Sequence, residues 1–195
     1  VSDAAASRDA ARPDTDKMAQ EVPKGQGEAA RQSPDFAAIQ RGIASYQRHD
    51  LDAAYSEFSK AIAINGENPT AFVNRGIVLR DMKRYEDSQK DFRMAQSLDD
   101  KNALIEFEMG LTALAQNDSD AALTHMDRAV ALQPNDLGAQ MYRASLLYRL
   151  GRLDDAVAGY TRVLEKADDA LKLRAYIERG LAKEQKQDFA SAVDD

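Results

Sequence analysis

The residue types that most often carry chemistry are few in this chain and poorly grouped. There are two histidines. His49 lies in a polar stretch, and His125 stands beside Met126 in an apolar-periodic one. A metal site or a proton relay needs such groups on one face or at one helical spacing. These two fall on different kinds of element and read as surface or partly packed side chains. The chain has no cysteine, which excludes disulfides, thiolate metal sites and cysteine nucleophiles. Carboxylates are plentiful, with adjacent pairs at Asp99-Asp100, Asp154-Asp155 and Asp168-Asp169. A catalytic carboxylate needs burial to move its pKa. These pairs flank the periodic segments instead, where they would cap helices and complement the helix dipole. Asn117-Asp118-Ser119-Asp120 opens like a calcium loop but lacks the glycine and terminal glutamate of that loop. No Gly-rich phosphate loop and no nucleophile motif occurs. The expectation is a protein that is not an enzyme and holds neither cofactor nor metal.

Charge and hydropathy narrow the partners. The formal net charge is −7, which repels phosphate backbones on average. Arg80, Lys83 and Arg84 cluster, but Asp81, Glu86 and Asp87 interrupt them. That is a charge-laced solvated face rather than a basic stripe, so nucleic acid is not an expected partner. No apolar run approaches the ~20 residues needed to span a bilayer, so direct membrane insertion is not expected. Val1 to Ser7 lacks a basic head followed by an apolar stretch. The sequence begins with Val rather than Met, as if processed or cut from a longer chain. An Ala- and Asp-rich, cysteine-free composition is compatible with a bacterial exported or periplasmic protein, and the compartment stays open.

The elements that must position these residues are helices. Hydrophobic residues make up 44% and charged residues 30%, with 10 glycines and 5 prolines, and period-two alternation of Val, Ile and Thr is absent. Residues 1–34 are rich in Ala, Asp, Ser, Gln, Arg and Pro and bury too little apolar surface to offset their ordering entropy. They read as a flexible tail, or as a segment that docks in a groove. At Ser33-Pro34-Asp35 a capping serine precedes a proline suited to the first helical position. Beyond it the chain repeats. Gly42, Gly76, Gly110 and Ala144 are each 34 apart, as are Ala54, Ser88, Ala122 and Ala156. Phe58, Phe92, Met126 and Tyr160 keep the same spacing, and so do Ala61, Ala95, Ala129 and Val163. Gly180 and Ala192 mark a fifth copy after a two-residue insertion. Each copy reads as two amphipathic helices with a short polar turn. The small columns let the paired backbones approach closely, and the aromatic column fills the space between one copy and the next.

With small residues at the eighth and twentieth places, an aromatic at the twenty-fourth, Ala at the twenty-seventh and Pro134 at the thirty-second, the sequence resembles the tetratricopeptide repeat (TPR) family. Gly66, Asp100 and Asp168 stand where the other copies would carry proline. The resemblance covers 35–195. It implies an all-α fold, a right-handed superhelical solenoid of antiparallel helix pairs with about four and a half repeats: 35–68, 69–102, 103–136, 137–170 and a partial 173–195. It also implies a concave face lined by first helices. Helical spacing then directs Ile39, Val73, Asn74, Ile77, Arg80, Phe107, Leu111, Leu114, Met141, Tyr142, Tyr148 and Arg149 toward that concavity. Exposed apolar patches rimmed by polar groups mark binding sites. Ile43, Val73, Ile77 and Leu111 fit a core role equally well, whereas Phe107, Tyr142, Tyr148 and Arg149 point further inward to the groove. Some family members grip a C-terminal carboxylate with a clamp of two Asn, two Lys and one Arg. Asn74 matches one clamp asparagine, but Ile39, Ile43, Leu104 and Glu108 stand where the others would be. The expected partner is therefore a protein or peptide presenting an amphipathic helix or an extended apolar strand, and not a chaperone tail. A homo-oligomer, or a regulatory segment of a larger protein, remains the alternative.

Overall fold

The computed structural model describes residues 33–186. Among them the chain forms nine α-helices and no strand. The expected tail, apart from its last two residues, and the part of the fifth copy containing Ala192 lie outside the described residues. The described residues divide into two compact units, with the boundary between Leu98 and Asp99. Unit 1 holds α1 (Pro34–Gln47), α2 (Leu51–Ile64), α3 (Pro69–Asp81) and α4 (Tyr85–Leu98). Unit 2 holds α5 (Ala103–Ala115), α6 (Ser119–Leu132), α7 (Leu137–Arg149), α8 (Leu153–Leu164) and α9 (Asp169–Gln185). Within each unit, helices consecutive in sequence pack on one another.

The helix starts are written in short polar side chains. Ser33 Oγ accepts from the Phe36 amide at 3.4 Å, Asp50 from Ala53 at 3.0 Å and Asn68 from Thr70 at 3.1 Å. Asn102, Asp118, Asp136 and Asp168 do the same for α5, α6, α7 and α9. Each accepts a hydrogen bond from an amide that the helix itself leaves unsatisfied. The turns inside the pairs are equally regular. His49, Lys83, Asn117 and Gly151, again 34 apart, all take positive φ, from 60° to 74°. In each turn an amide three residues past the helix end bonds back five residues: Asp50 to Ser45, Arg84 to Leu79, Asp118 to Ala113 and Arg152 to Leu147, at 2.8–3.0 Å. This is the Schellman closure, and its left-handed residue is the one glycine serves best. Only the fourth pair uses glycine.

The glycine column has a more specific role than close backbone approach. A Cβ on Gly42 would lie 2.6 Å from the Phe58 ring, and one on Gly76 would lie 2.6 Å from the Phe92 ring. So the aromatic of a second helix packs into the notch left by the glycine of its own first helix, where the sequence reading had placed it between copies. Ser88, in the small column, adds a buried hydrogen bond to the Gly76 carbonyl at 2.7 Å. In unit 2, Gly110 opposes the flexible end of Met126, with Cε 2.9 Å from the added Cβ. The fourth pair moves the notch. Ala144 fills the first-helix position, and Gly159 on α8 supplies the missing volume, since a Cβ there would meet that of Ala144 at 2.9 Å.

Polar staples brace the pairs. Arg41 pairs with Glu57 at 2.7 Å. One period later, Arg75 grips both oxygens of Asp91 at 2.7 and 2.8 Å while lying over the rings of Tyr55 and Phe72. Asp35, buried at the start of α1, accepts from Asn65 at 3.1 Å and Asn68 at 3.0 Å. Its carboxyl lies below the usual value: burial opposes that shift, but hydrogen bonds from Ser33, Asn68 and Asn65 and from the Phe36 amide outweigh it.

Candidate functional site

The residue types that could do chemistry are dispersed over turns, caps and helix contacts. His49 is a turn residue whose notable property is its backbone angle. His125 Nδ1 lies 2.8 Å from buried Glu106, with Arg128 at 3.8 Å on the other oxygen. This joins α5 to α6. Asp99 accepts from Asn102 at 3.1 Å, Asp168 caps α9, and Asp154 and Asp155 occupy the first turn of α8. Among the described residues no group of three or more His, Asp or Glu draws together in a way that could hold a metal ion. No described helix is long and apolar enough to cross a membrane.

The groove residues named from spacing divide into two sets. In unit 1, Ile39, Val73, Asn74 and Ile77 are interior. The Asn74 side chain is 3% exposed and its Nδ2 finds no hydrogen-bond partner. Arg80 is only partly exposed and reaches Asp81 at 3.5 Å, while Asp81 accepts from Tyr46 Oη at 2.6 Å. A polar line thus joins the ends of α1 and α3. In unit 2, Phe107 and Met141 are interior, Leu111, Leu114, Tyr142 and Tyr148 are partly exposed, and Arg149 is exposed. Phe107 is 3% exposed, although the helical angle favoured it over Leu111 as a groove residue. The cause is its neighbour. The Tyr142 ring of α7 meets it edge-on, with centroids 5.3 Å apart and planes at 90°, a favourable aromatic arrangement.

One polar cluster escaped the sequence reading. Glu178 of α9 accepts from Tyr160 Oη at 2.8 Å, from Arg174 Nε at 2.8 Å and from Ser145 Oγ. It ties α7, α8 and α9 together around a fully buried tyrosine. Burial and the adjacent Glu178 carboxylate push the Tyr160 hydroxyl far above its ordinary value, against the Ser145 hydrogen bond. The available signal was Tyr160 itself. A tyrosine in a phenylalanine column brings a hydroxyl that needs a partner.

Known proteins share this arrangement. The profile of the tetratricopeptide repeat matches residues 107–170. Protein STIP1 homolog of Dictyostelium discoideum is 29% identical over 92 residues, which make up 47% of this chain and 16% of that protein. The chain therefore spans a small part of that relative's length. MamA from Desulfovibrio magneticus RS-1 superposes with a TM-score of 0.71 at 15% identity, over 82% of this chain and 89% of that one. YrrB, described as a TPR protein with an unusual peptide-binding site, gives 0.65 at 22% identity, over 85% and 86%. Glycine–aromatic notches at a 34-residue period, paired helices across the described residues, the matching profile and these shared folds lead to one conclusion: residues 107–170 match the tetratricopeptide repeat, and the described chain has the fold of tetratricopeptide-repeat proteins.

Proposed function

We propose that the chain is a non-catalytic protein–protein interaction scaffold that holds a peptide or a helix of a partner against its first helices. The fold is one suited to protein–protein interaction, and YrrB shows by its description that a chain of this fold can carry a peptide-binding site. The observation that carries the reading is the set Leu111, Leu114, Tyr142 and Tyr148 on α5 and α7, beside exposed Arg149. These side chains retain apolar surface that a partner would cover. Tyrosine and arginine are also types that dominate interface energetics. Phe107 supports this surface from inside by fixing the Tyr142 ring. In unit 1 the corresponding contribution is polar, from Arg80, over an interior of Ile39, Val73, Asn74 and Ile77.

The test uses partly exposed positions, because Phe107→Ala would cost about 3–5 kcal/mol of stability. Affinity capture from the native source with the wild type, followed by mass spectrometry, identifies the partner. Calorimetric titration then compares the wild type with the Leu114→Ala/Tyr148→Ala double variant. We expect binding weaker by about tenfold to a hundredfold, or roughly 1.4–2.8 kcal/mol, with the helical circular dichroism signal intact. Undiminished binding by the folded variant overturns the reading.

A further inference from the structure

We infer that Asn65 is a site of spontaneous deamidation, and that its conversion loosens the start of α1. Of the chain's asparagines only Asn65 precedes a glycine. Both residues are exposed, in the turn between α2 and α3. Among the described residues the Gly66 amide donates no hydrogen bond, so its nitrogen is not committed to the fold. The other asparagines lack this combination. Asn68 precedes Pro69, which has no N–H to give up. Asn74 lies inside α3, and Asn102 precedes Ala103, the first residue of α5. The amides that follow Asn117 and Asn135 are those of Asp118 and Asp136. They bond to the carbonyls of Ala113 at 2.9 Å and Gln133 at 3.1 Å. Nor does the backbone explain a glycine at 66. Its φ is not left-handed, and a Cβ there would lie 3.7 Å from the Ile62 carbonyl, an ordinary contact.

The chemistry needs no reagent but water. The Gly66 nitrogen attacks Asn65 Cγ and forms an N–C bond, closing a five-membered imide. The Cγ–Nδ2 bond breaks, and ammonia leaves with the proton that the Gly66 amide gave up. Water then opens the imide at either carbonyl, giving aspartate or its isoaspartyl isomer. As folded, ψ of Asn65 is 93°, which turns the Gly66 nitrogen away from the side chain, so the turn must open first. Little resists that rotation. The bond from the Asn68 amide to the Asn65 carbonyl is long at 3.4 Å, and the Glu67 amide donates to Asn65 Oδ1 at 3.1 Å. Glycine on the far side of the peptide adds the least steric hindrance. The consequence falls on α1. Asn65 Nδ2 donates to buried Asp35 at 3.1 Å, beside Asn68 at 3.0 Å. Deamidation replaces that donor with a second carboxylate, and two carboxylates at one site repel. The isoaspartyl product also lengthens the main chain between α2 and α3. Asn65 thus links the age of the chain to the anchorage of its first helix.

Ageing the full 195-residue chain in mildly alkaline buffer, with peptide mass mapping of each asparagine, tests this directly. Asn65 should gain the mass of an exchange of NH2 for OH, with an isoaspartyl peptide alongside, well ahead of Asn117 and Asn135. Gly66→Ala should slow the conversion by roughly tenfold or more, because a side chain crowds the attacking nitrogen. Its fresh melt should match that of the fresh wild type, so the slower rate reads chemistry rather than a change in folding. Asn65→Gln should block the conversion, since its longer side chain would have to close a larger ring. Asn65→Asp supplies one product from the start. It should melt about 2–4 °C below the wild type, with faster amide exchange over the first turn of α1. Aged wild type should fall toward that value while aged Gly66→Ala keeps its melt. Conversion at Asn65 no faster than at Asn117 or Asn135, equal rates in Gly66→Ala and the wild type, or an Asn65→Asp chain that melts with the wild type would each overturn the inference.

Discussion

Unit 1 and unit 2 meet the same packing problem in different ways. In unit 1 both pairs use the same device: a glycine on the first helix, a phenylalanine from the second and an arginine staple alongside. In unit 2 neither pair repeats it. The third pair keeps the glycine but fills the notch with Met126, and joins its helices through His125 and Glu106. The fourth moves the glycine to the second helix and anchors its tyrosine through Glu178. What stays constant is a crossing where a small residue on one helix makes room for a side chain of the other. The identity of the residue that supplies the room is free to move.

The largest break in this comparison should come from Gly76→Ala. The Phe92 ring is fully buried and has no room to swing away, so we expect a loss of about 3 kcal/mol in urea unfolding. Gly110→Ala should cost only about 1 kcal/mol, because the Met126 tail bends. Equal costs would mean that the rigidity of the filler does not matter. Glu178→Ala should cost about 2 kcal/mol by removing the acceptor that Tyr160, Ser145 and Arg174 share, with faster amide exchange along α9 as its local signature. Gly159→Ala should cost roughly 1–2 kcal/mol, and Ala144→Gly in the same chain should recover about 1 kcal/mol. A double-mutant cycle reads that coupling directly, and additivity would contradict the relocated notch. The smallest effect concerns the turns. Lys83→Gly should raise stability by about 0.5 kcal/mol by relieving a left-handed residue, whereas Gly151→Ala should lower it by about 1 kcal/mol.

The periodic core was legible because one steric demand recurs every 34 residues and restricts residue type each time. Gly42 with Phe58 and Gly76 with Phe92 announce themselves that way. The fourth pair was only half legible. Ala144 stood out as a departure, but its compensation sits fifteen residues away on another helix, and Gly159 looks unremarkable unless the crossing is known. The left-handed turns were hidden for the opposite reason. His49, Lys83, Asn117 and Gly151 share a backbone angle and no chemistry, so no residue column betrays them. For the candidate surface, periodicity could say which side of each first helix a residue occupies, but not whether a neighbour covers it. Phe107 and Ile177 hold the same place in the repeat and differ almost completely in exposure.

The relocated notch also bears on how such an array can be rearranged by recombination or by design. Joining α7 to a second helix of the unit 1 type would set the methyl of Ala144 against a phenylalanine that expects a glycine. Joining α3 to α8 would place two glycines at one crossing and leave a void. Splicing within a pair is therefore penalised in both directions, while splicing between pairs respects every crossing described here. The heritable module in this chain is the hairpin, and each of its two helices carries a record of the other.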